Sequence, residues 1–120
     1  MNTVSIHGRK LINLLGRANT PLIFDVRRRP AFDSANHTIA SAQWASHERA
    51  EEWATRLTDQ DVVVFCVHGE QVSRTAASTL QRLGVHARWL EGGIEAYEAA
   101  KGPTVRIDSL VHADKPSRWV

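Results

Sequence analysis

The chain has 120 residues, of which 42% are hydrophobic and 23% charged, and its formal net charge is +2. A chain of this length fits one compact domain whose core is large enough to fold without disulfides. Cys66 is the only cysteine, which excludes an internal disulfide and a cysteine-rich zinc site. A lone thiol fits a reducing compartment, so we expect a cytoplasmic protein.

Two partner classes are disfavoured by the sequence. The longest apolar run, residues 62–67, is too short to cross a bilayer, and the N-terminus lacks the apolar run of a signal peptide. Basic residues are scattered apart from Arg27, Arg28 and Arg29, and no interleaved aromatic residues accompany these three. We therefore expect no membrane and no nucleic acid among the partners.

Strands and helices alternate along the chain. In chain order the pattern predicts a helix over 6–15 capped by Ser5, a strand over 22–26, a helical turn over 30–33, a strand over 40–44, a helix over 46–57, a strand over 62–66, a loop over 67–72, a helix over 73–83, a strand over 87–90, a turn at 92–93 and a helix over 94–100. Three consecutive valines and Phe65 make the strand at 62–66 apolar on both faces, which is typical of a parallel sheet. The alternation predicts an α/β fold.

Cys66 ends this strand, a short loop containing Gly69 follows, and a helix is predicted from Ser73. Successive backbone N–H groups in such a loop can point inward and bind an anion, and the helix N-terminus adds a positive dipole. A thiol at the centre of the loop is then stabilised as the nucleophilic thiolate. The alternative is that Cys66 is a small buried strand residue with no chemistry.

Residues 3–100 resemble the rhodanese family through four motifs in the family's order. These are Phe24-Asp25-Val26-Arg27, which resembles the Asp-Val-Arg box; Pro30-Ala31-Phe32 with residues 37–42, which resembles the Glu-Phe and Gly-His-Ile stretch; Cys66 to Gly69, which resembles the Cys-x-x-Gly loop; and residues 90–97, which resemble Leu-x-Gly-Gly-x-x-x-Trp with Tyr97 in place of the tryptophan. Four ordered motifs are more specific than any one of them.

The resemblance implies a central, mainly parallel five-stranded sheet with helices on both faces. It implies a rhodanese-like domain over residues 1–102 and a C-terminal tail or linker over residues 103–120. It also implies a sulfurtransferase: the Cys66 thiolate takes the outer sulfur of a small-molecule donor such as thiosulfate, and a thiol or cyanide acceptor removes it from the resulting persulfide. No metal and no organic cofactor are implied.

The resemblance assigns roles along the loop. Cys66 is the catalytic residue, and the substrate-binding residues are Val67, His68, Gly69, Glu70, Gln71, Val72 and Ser73. The loop-supporting residues are Asp25, Arg27 and Arg74. His68 can also move protons near neutral pH, and the alternative for it is a solvent-facing side chain. Glu70 repels an anionic donor, which makes a low-molecular-weight thiol or a protein persulfide an alternative to thiosulfate.

Two further hypotheses follow from the loop. When Ala76, Ala77, Leu80 and Gly84 are aligned with the family's helix, the loop is one residue longer than usual and resembles the dual-specificity phosphatase and arsenate reductase branch. That branch carries Cys-x5-Arg, whereas Val72 stands at that position here and Arg74 is the first arginine, so the bidentate phosphate clamp is missing. Phosphatase or arsenate reductase chemistry is the second hypothesis. A non-catalytic binding or sensory module is the third.

Residues 115–120 resemble the opening of a chromate-resistance domain that sometimes follows a rhodanese domain. This weak match implies a following domain or protein of that type as a partner.

Overall fold

A computed structural model describes residues 4–107 of the chain. The elements, in chain order, are β1 (Val4–Ile6), α1 (Gly8–Leu14), β2 (Leu22–Asp25), α2 (Arg29–Ser34), β3 (His37–Ile39), β4 (Gln43–Trp44), a 3₁₀ turn (His47–Arg49), α3 (Ala50–Ala54), β5 (Asp61–Phe65), α4 (Gln71–Arg82), β6 (His86–Leu90), α5 (Gly93–Ala99) and β7 (Thr104–Arg106). Between residues 4 and 107, no helix is both long and apolar enough to span a membrane.

Five strands form one sheet in the order β1-β6-β5-β2-β4, and every neighbouring pair in it is parallel. The predicted α/β fold with a central parallel five-stranded sheet is therefore confirmed. Because all five strands run the same way, the segments that follow β2, β5 and β6 meet at one edge of the sheet. Ligands of parallel sheets bind at this edge, outside the carboxyl ends of the strands.

The apolar run in β5 is buried on both of its faces. Val62 and Val64 pack with α3 and α4 in one core, while Val63 and Phe65 pack with α1 and α5 in a second core on the opposite side. All four side chains are 0% exposed. This is the reason that β5 lacks the polar alternation of a half-exposed strand.

The first predicted helix is partly wrong. Residues 4–6 form the edge strand β1, in which Ile6 is paired with Leu90 of β6, and the helix begins only at Gly8. The Ser5 hydroxyl bonds to the Glu91 carboxylate and does not cap the helix. Pairing with a distant strand therefore overrides the local helical pattern. The helix predicted over 46–57 is also shorter, since it consists of a 3₁₀ turn followed by α3.

The fold continues beyond Gly102, where the sequence suggested a domain boundary. Strand β7 pairs antiparallel with β3 in a small second sheet, and Ile107 is buried with its backbone N–H bonded to the Asn36 carbonyl at 2.9 Å. A strand of three residues is too short to show a period in the sequence. The remainder of the expected tail, including the chromate-resistance-like segment at 115–120, lies outside the described residues.

Candidate functional site

Cys66 follows β5 directly and lies between the ends of β2 and β6. Its side chain is 6% exposed, and its Sγ lies 3.2 Å from the Oγ of Ser73, to which the thiol donates a hydrogen bond. Ser73 is fully buried in the first turn of α4, and its hydroxyl reaches the Glu70 carbonyl at 3.3 Å. The cysteine sulfur is thus held against a buried hydroxyl that can donate to it once the sulfur is ionised.

Helix α4 begins at Gln71, two residues earlier than the sequence suggested. Gln71 and Val72 therefore belong to the first turn and not to the loop, which consists of residues 67–70. Ser73 was expected to start the helix, but its hydroxyl turns back to Glu70 and Cys66. The backbone N–H of Arg74 bonds to the Glu70 carbonyl at 3.2 Å and closes the first turn.

The turn formed by Gly92 and Gly93 holds the loop from the α5 side. Ile94 donates its backbone N–H to the Cys66 carbonyl at 3.0 Å, and Glu95 donates to the Val67 carbonyl at 3.2 Å. Gly93 has a φ of +62°, and a Cβ atom at this position would overlap the backbone of Cys66 and Val67. Only glycine allows both the left-handed conformation and this close approach.

Gly69 makes the reciprocal contact from the loop. Its φ is +70°, and a Cβ atom there would lie 2.6 Å from the Gly92 nitrogen and 2.7 Å from the Leu90 carbonyl oxygen. The two glycine-containing segments, 67–70 and 92–93, therefore pack backbone against backbone. This contact explains physically why one sequence contains both the Cys-x-x-Gly and the Gly-Gly motif.

Carbonyl groups and N–H groups of the loop have opposite environments. The carbonyls of Cys66 and Val67 accept from α5, that of Gly69 accepts from the Arg74 side chain at 3.3 Å, and that of Glu70 accepts from Ser73 and Arg74. In contrast, the seven consecutive backbone N–H groups of residues 67–73 have no acceptor within residues 4–107. In a trans peptide the N–H points opposite to the preceding carbonyl, so the N–H groups of Val67 and His68 point away from α5.

Such an array of N–H donors is suited to an anion. The helix macrodipole of α4, a helix of 12 residues, adds a partial positive charge behind the same loop. Cys66 provides a nucleophilic atom at the start of this segment, and an anionic group on its sulfur can accept from these donors.

Arg74, predicted as a loop-supporting residue, lies on α4 with its guanidinium turned toward Trp89 and Gly69. Its guanidinium carbon is 4.2 Å from the centroid of the Trp89 ring, and its Nε donates to the Gly69 carbonyl. The cation–π contact and the hydrogen bond fix the side chain on the outside of the loop. An open groove of about 510 Å³ begins at Glu70 and Gln71 and passes Arg74 along the exposed face of α4.

The charged side chains of the loop differ in their contacts. His68 Nδ1 lies 3.0 Å from the Glu95 Oε1 of α5, and both side chains are more than half exposed. Glu70 is exposed and lines the groove along α4. Val72 is half-buried against the core beneath α4.

Asp25 and Arg27 form a buried ion pair at the same edge of the sheet. Arg27 Nη2 lies 2.6 Å from Asp25 Oδ2, and the two side chains are 5% and 0% exposed. Thr38 donates to the same carboxylate at 2.8 Å, and Arg27 also bonds to the His37 carbonyl at 3.1 Å. The pair therefore ties β2 to β3, beside the end of β5, and does not bond to the loop N–H groups.

Tyr97 fixes the other end of α5. Its ring is fully buried, its hydroxyl donates to the Pro103 carbonyl at 2.7 Å, and burial raises the pKa of the phenol to about 12. Gly102 lies so close to the ring that a Cβ atom there would overlap it. Because α5 supplies the N–H groups that bind the loop, Tyr97 positions the loop indirectly.

Three residues near the loop had no predicted role. Gly93 contacts the backbone of Cys66, Glu95 contacts His68, and Trp89 contacts Arg74. Each of the three contacts a residue at least 15 positions earlier in the sequence. Their roles could have been predicted only by knowing that the loop packs against the segment that contains Gly92 and Gly93. Within the described part of the chain, no three His, Cys, Asp or Glu side chains cluster in a way that could hold a metal ion.

Comparison with known proteins gives a family and a fold. The model of the rhodanese-like domain matches residues 9–100. Over 77 residues the chain is 30% identical to an adenylyltransferase and sulfurtransferase, UBA4, of Yarrowia lipolytica, which covers 63% of this chain. The chain spans only 19% of the length of that relative.

Solved structures share the fold at low sequence identity. A thiosulfate sulfurtransferase of Pseudomonas aeruginosa superposes with a TM-score of 0.72 at 24% identity, covering 87% of this chain and 19% of its own. A protein of Rhodopseudomonas palustris described as a possible tyrosine phosphatase superposes with a TM-score of 0.74 at 23% identity, covering 86% and 85% of the two chains. These likenesses show a shared fold, and a fold does not by itself determine the function.

Proposed function

Because this chain belongs to the rhodanese-like domain family, we propose that it is a sulfurtransferase in which Cys66 carries a sulfur atom as a persulfide between a small-molecule donor and an acceptor. One observation carries the proposal: the Cys66 sulfur contacts the buried Ser73 hydroxyl at the start of a segment whose seven N–H groups have no acceptor within residues 4–107. A structural cysteine in a sealed core needs no such donors.

The first half-reaction transfers sulfur to Cys66. The Cys66 thiolate attacks the outer sulfur of thiosulfate, a Cys66 S–S bond forms, and the S–S bond of thiosulfate breaks with its electron pair leaving on sulfite. The protein then holds a negatively charged persulfide. In the second half-reaction a thiol or cyanide acceptor attacks the outer sulfur, and the Cys66 thiolate is regenerated.

The loop stabilises the charge that both half-reactions place near Cys66. Backbone N–H groups fixed by the surrounding structure stabilise an anion without reorganising, which lowers the free energy of the transition state. The packing of Gly69 and Gly93 supports this role. It holds the carbonyls of Cys66 and Val67 toward α5, and this fixes the N–H groups of the next residues on the opposite side. The Ser73 hydroxyl supplies one further donor to the inner sulfur.

Glu70 affects the choice of donor. Its exposed side chain belongs to the loop that follows Cys66, lines the groove along α4, and carries the same sign of charge as thiosulfate. At physiological ionic strength such a repulsion is screened and modest, so it reduces the rate without blocking the reaction. A low-molecular-weight persulfide or a protein persulfide is therefore a competing physiological donor, and a reducing compartment such as the cytoplasm suits both.

Phosphatase or arsenate reductase chemistry is the second candidate, favoured by the fold shared with the Rhodopseudomonas palustris protein. Phosphate binding by these enzymes needs an arginine that clamps two oxygens at once. The position expected to hold it is occupied by the half-buried Val72, and the guanidinium of Arg74 contacts Trp89 and the outer side of Gly69. The loop therefore offers N–H donors and a thiol without that clamp.

A half-reaction assay tests the proposal. Purified protein is mixed with thiosulfate, or with glutathione persulfide, and both sulfite release and persulfide on the protein are measured; an aryl phosphate serves as the parallel phosphatase substrate. We expect sulfur loading with at least one donor, no loading in Cys66→Ser, and no phosphate release. Phosphate release without sulfur loading would favour the second candidate. If neither phosphate release nor sulfur loading is detected, a binding module is favoured.

A further inference from the structure

The peptide that joins Gly69 to Glu70 is held differently from its neighbours in the loop. The carbonyls of Cys66 and Val67 accept backbone N–H groups of α5, and the Glu70 carbonyl accepts the backbone N–H of Arg74. The Gly69 carbonyl instead accepts from a side chain, because the Nε of Arg74 donates to it at 3.3 Å. The direction of this peptide therefore depends on a side chain that a substitution can remove.

The direction of the Gly69 carbonyl sets the direction of one N–H group of the loop. All peptides between residues 4 and 107 are trans, so the N–H of Glu70 points opposite to the Gly69 carbonyl. Since that carbonyl is turned toward Arg74, the Glu70 N–H points away from the arginine. This N–H has no acceptor in the described part of the chain. It is therefore one of the donors that an anion on the loop can use.

Trp89 holds the arginine in place. The guanidinium carbon of Arg74 lies 4.2 Å from the centroid of the Trp89 ring. Trp89 lies on β6 beside Val64 of β5, and its half-buried ring packs against the core beneath α4. A planar guanidinium can stack on a ring and donate a hydrogen bond from its edge at the same time. The ring thus limits the motion of an arginine that is otherwise exposed.

We propose that Arg74, held by Trp89, is a positioning residue for sulfur transfer, which directs the Glu70 N–H toward the anionic persulfide on Cys66. This inference rests on the proposed sulfur transfer. The arginine contacts neither sulfur donor nor acceptor and acts only through the peptide between Gly69 and Glu70. A fixed donor stabilises developing charge without reorganising, which lowers the free energy of the transition state. Without the arginine, the peptide is free to turn and this donor is no longer fixed.

A positive charge on α4 can also attract an anionic sulfur donor through space, and the two roles have different requirements. Attraction through space is retained when lysine replaces Arg74, and it weakens as salt is added. Positioning needs both the Nε donor and the flat face that stacks on Trp89, and a lysine side chain has neither. The variant Arg74→Lys therefore separates the two roles.

The first measurement is the rate of sulfur loading from thiosulfate, in the full chain and at low and high salt. The variants are Arg74→Lys, Arg74→Met and the control Arg82→Met, which removes an exposed arginine of the same helix that bonds to Glu51. Removal of an oxyanion donor costs about 100-fold or more in rate, so a donor that is present but not fixed should cost less, about 10-fold. We expect this loss in both Arg74 variants at both salt concentrations, and the wild-type rate in Arg82→Met.

Substitutions of Trp89 test whether the ring is part of the device. Trp89→Leu removes the face on which the guanidinium stacks and should slow sulfur loading in the same direction as Arg74→Met. Trp89→Phe retains an aromatic face, on which an arginine also stacks, and should keep most of the wild-type rate. Loading is compared at a temperature at which both variants retain the wild-type circular dichroism spectrum.

The amide proton of Glu70 gives a readout that a change in stability alone would not move. Amide spectra of the ¹⁵N-labelled protein are recorded before and after sulfur loading, and a hydrogen bond to an anion moves an amide proton downfield. Loading should shift the Glu70 amide in wild type and much less in Arg74→Met. The amides of Val67 and His68 follow carbonyls that α5 holds, so they should shift equally in both proteins.

Different results would overturn the inference and the proposed function. A wild-type rate in Arg74→Lys, with a loss in Arg74→Met that disappears at high salt, would assign the arginine to attraction through space. An equal Glu70 shift in wild type and Arg74→Met, or wild-type loading in Trp89→Leu, would also overturn the positioning role. In each of these cases, sulfur loading of the wild type would leave the sulfurtransferase intact. A wild type that accepts sulfur from neither thiosulfate nor glutathione persulfide would refute the proposed function and this inference with it.

Discussion

Gly93 lies directly against the carbonyl group of Val67, so that even one added carbon atom at this glycine would overlap it. The contact lies at the centre of the site, because the same turn supplies the N–H groups that bind the carbonyls of Cys66 and Val67. The orientation of the loop is thus set by the residues around position 93 as much as by the loop itself.

Gly93→Ala should displace the loop. Gly16→Ala is its matched control, since Gly16 also has a positive φ, +76°, but no atom lies within 4 Å of the added carbon. Both variants bear the cost of a left-handed alanine, about 1–2 kcal/mol. We expect the free energy of unfolding, measured in urea, to fall further in Gly93→Ala, and sulfur loading of Cys66 to be lost only there. Normal loading of Gly93→Ala would show that this contact does not set the loop geometry.

Ser73→Ala should make Cys66 less reactive. The hydroxyl lies 3.2 Å from the sulfur, and a hydrogen bond to a charged group contributes about 1.5–3 kcal/mol, which corresponds to roughly a 10-fold or greater change in rate. The rate of Cys66 alkylation by iodoacetamide at neutral pH is the measurement. Ser78→Ala, which changes a serine that lines the groove on the same helix, should react as fast as wild type. If the two variants alkylate equally, the Ser73 hydroxyl does not act on the sulfur.

The two parts of the site differ in how far the sequence predicted them. Val62 to Phe65 formed a recognisable buried strand, and the loop after Cys66 contained its own glycine, so the position of Cys66 between a strand and a tight loop could be predicted from local sequence alone. Gly93 and Glu95 could not be assigned, since their roles depend on contact with a loop that lies more than 20 residues earlier. Local pattern does not carry information about such a contact.

The errors in the fold have the same origin. Val4 to Ile6 is too short to show an alternating pattern, and the predicted helix began at Ile6 with Ser5 as its cap, whereas both residues pair with β6. Thr104 to Arg106 is a strand only because β3 is available to pair with it. In both places a tertiary partner decides the conformation of three residues with weak preferences.

Asp25→Asn should destabilise the fold without touching Cys66. The substitution leaves the buried Arg27 guanidinium without its counter-charge, and the loss of one partner from a buried pair costs about 3–5 kcal/mol. Thr38→Val removes a single hydrogen bond to the same carboxylate and should cost about 1 kcal/mol. Urea denaturation of both variants is the measurement. A loss in Asp25→Asn no larger than in Thr38→Val would mean that the ion pair contributes no more than an ordinary hydrogen bond.

Tyr97→Phe should change the response of the protein to alkaline pH. Burial raises the pKa of Tyr97 from 10.0 to about 12, so the folded state favours the neutral phenol. Its contribution to stability is complete below pH 10 and is lost as the pH rises toward 12. The difference in unfolding free energy between wild type and Tyr97→Phe should therefore narrow over this range. If the difference in unfolding free energy between the two proteins stays constant from pH 8 to pH 12, the raised pKa of Tyr97 in the folded state is contradicted.

At neutral pH, Tyr97→Phe should have a small effect. The Pro103 carbonyl that loses the phenol still accepts the backbone N–H of Ala40 at 3.1 Å. The loss of one hydrogen bond of two leaves no unsatisfied acceptor, so we expect a cost of about 1 kcal/mol. Sulfur loading should remain close to wild type, because the phenyl ring keeps α5 in place.

The most direct test of the central claim is the intact mass of the protein after incubation with thiosulfate or with glutathione persulfide and removal of excess donor. Wild type should gain about 32 Da, the mass of one sulfur atom in a persulfide. The gain should disappear on treatment with an alkyl thiol, and it should be absent in Cys66→Ala that retains the wild-type circular dichroism spectrum. A wild-type mass unchanged by both donors, or the same gain in folded Cys66→Ala, would contradict a sulfur-carrying Cys66.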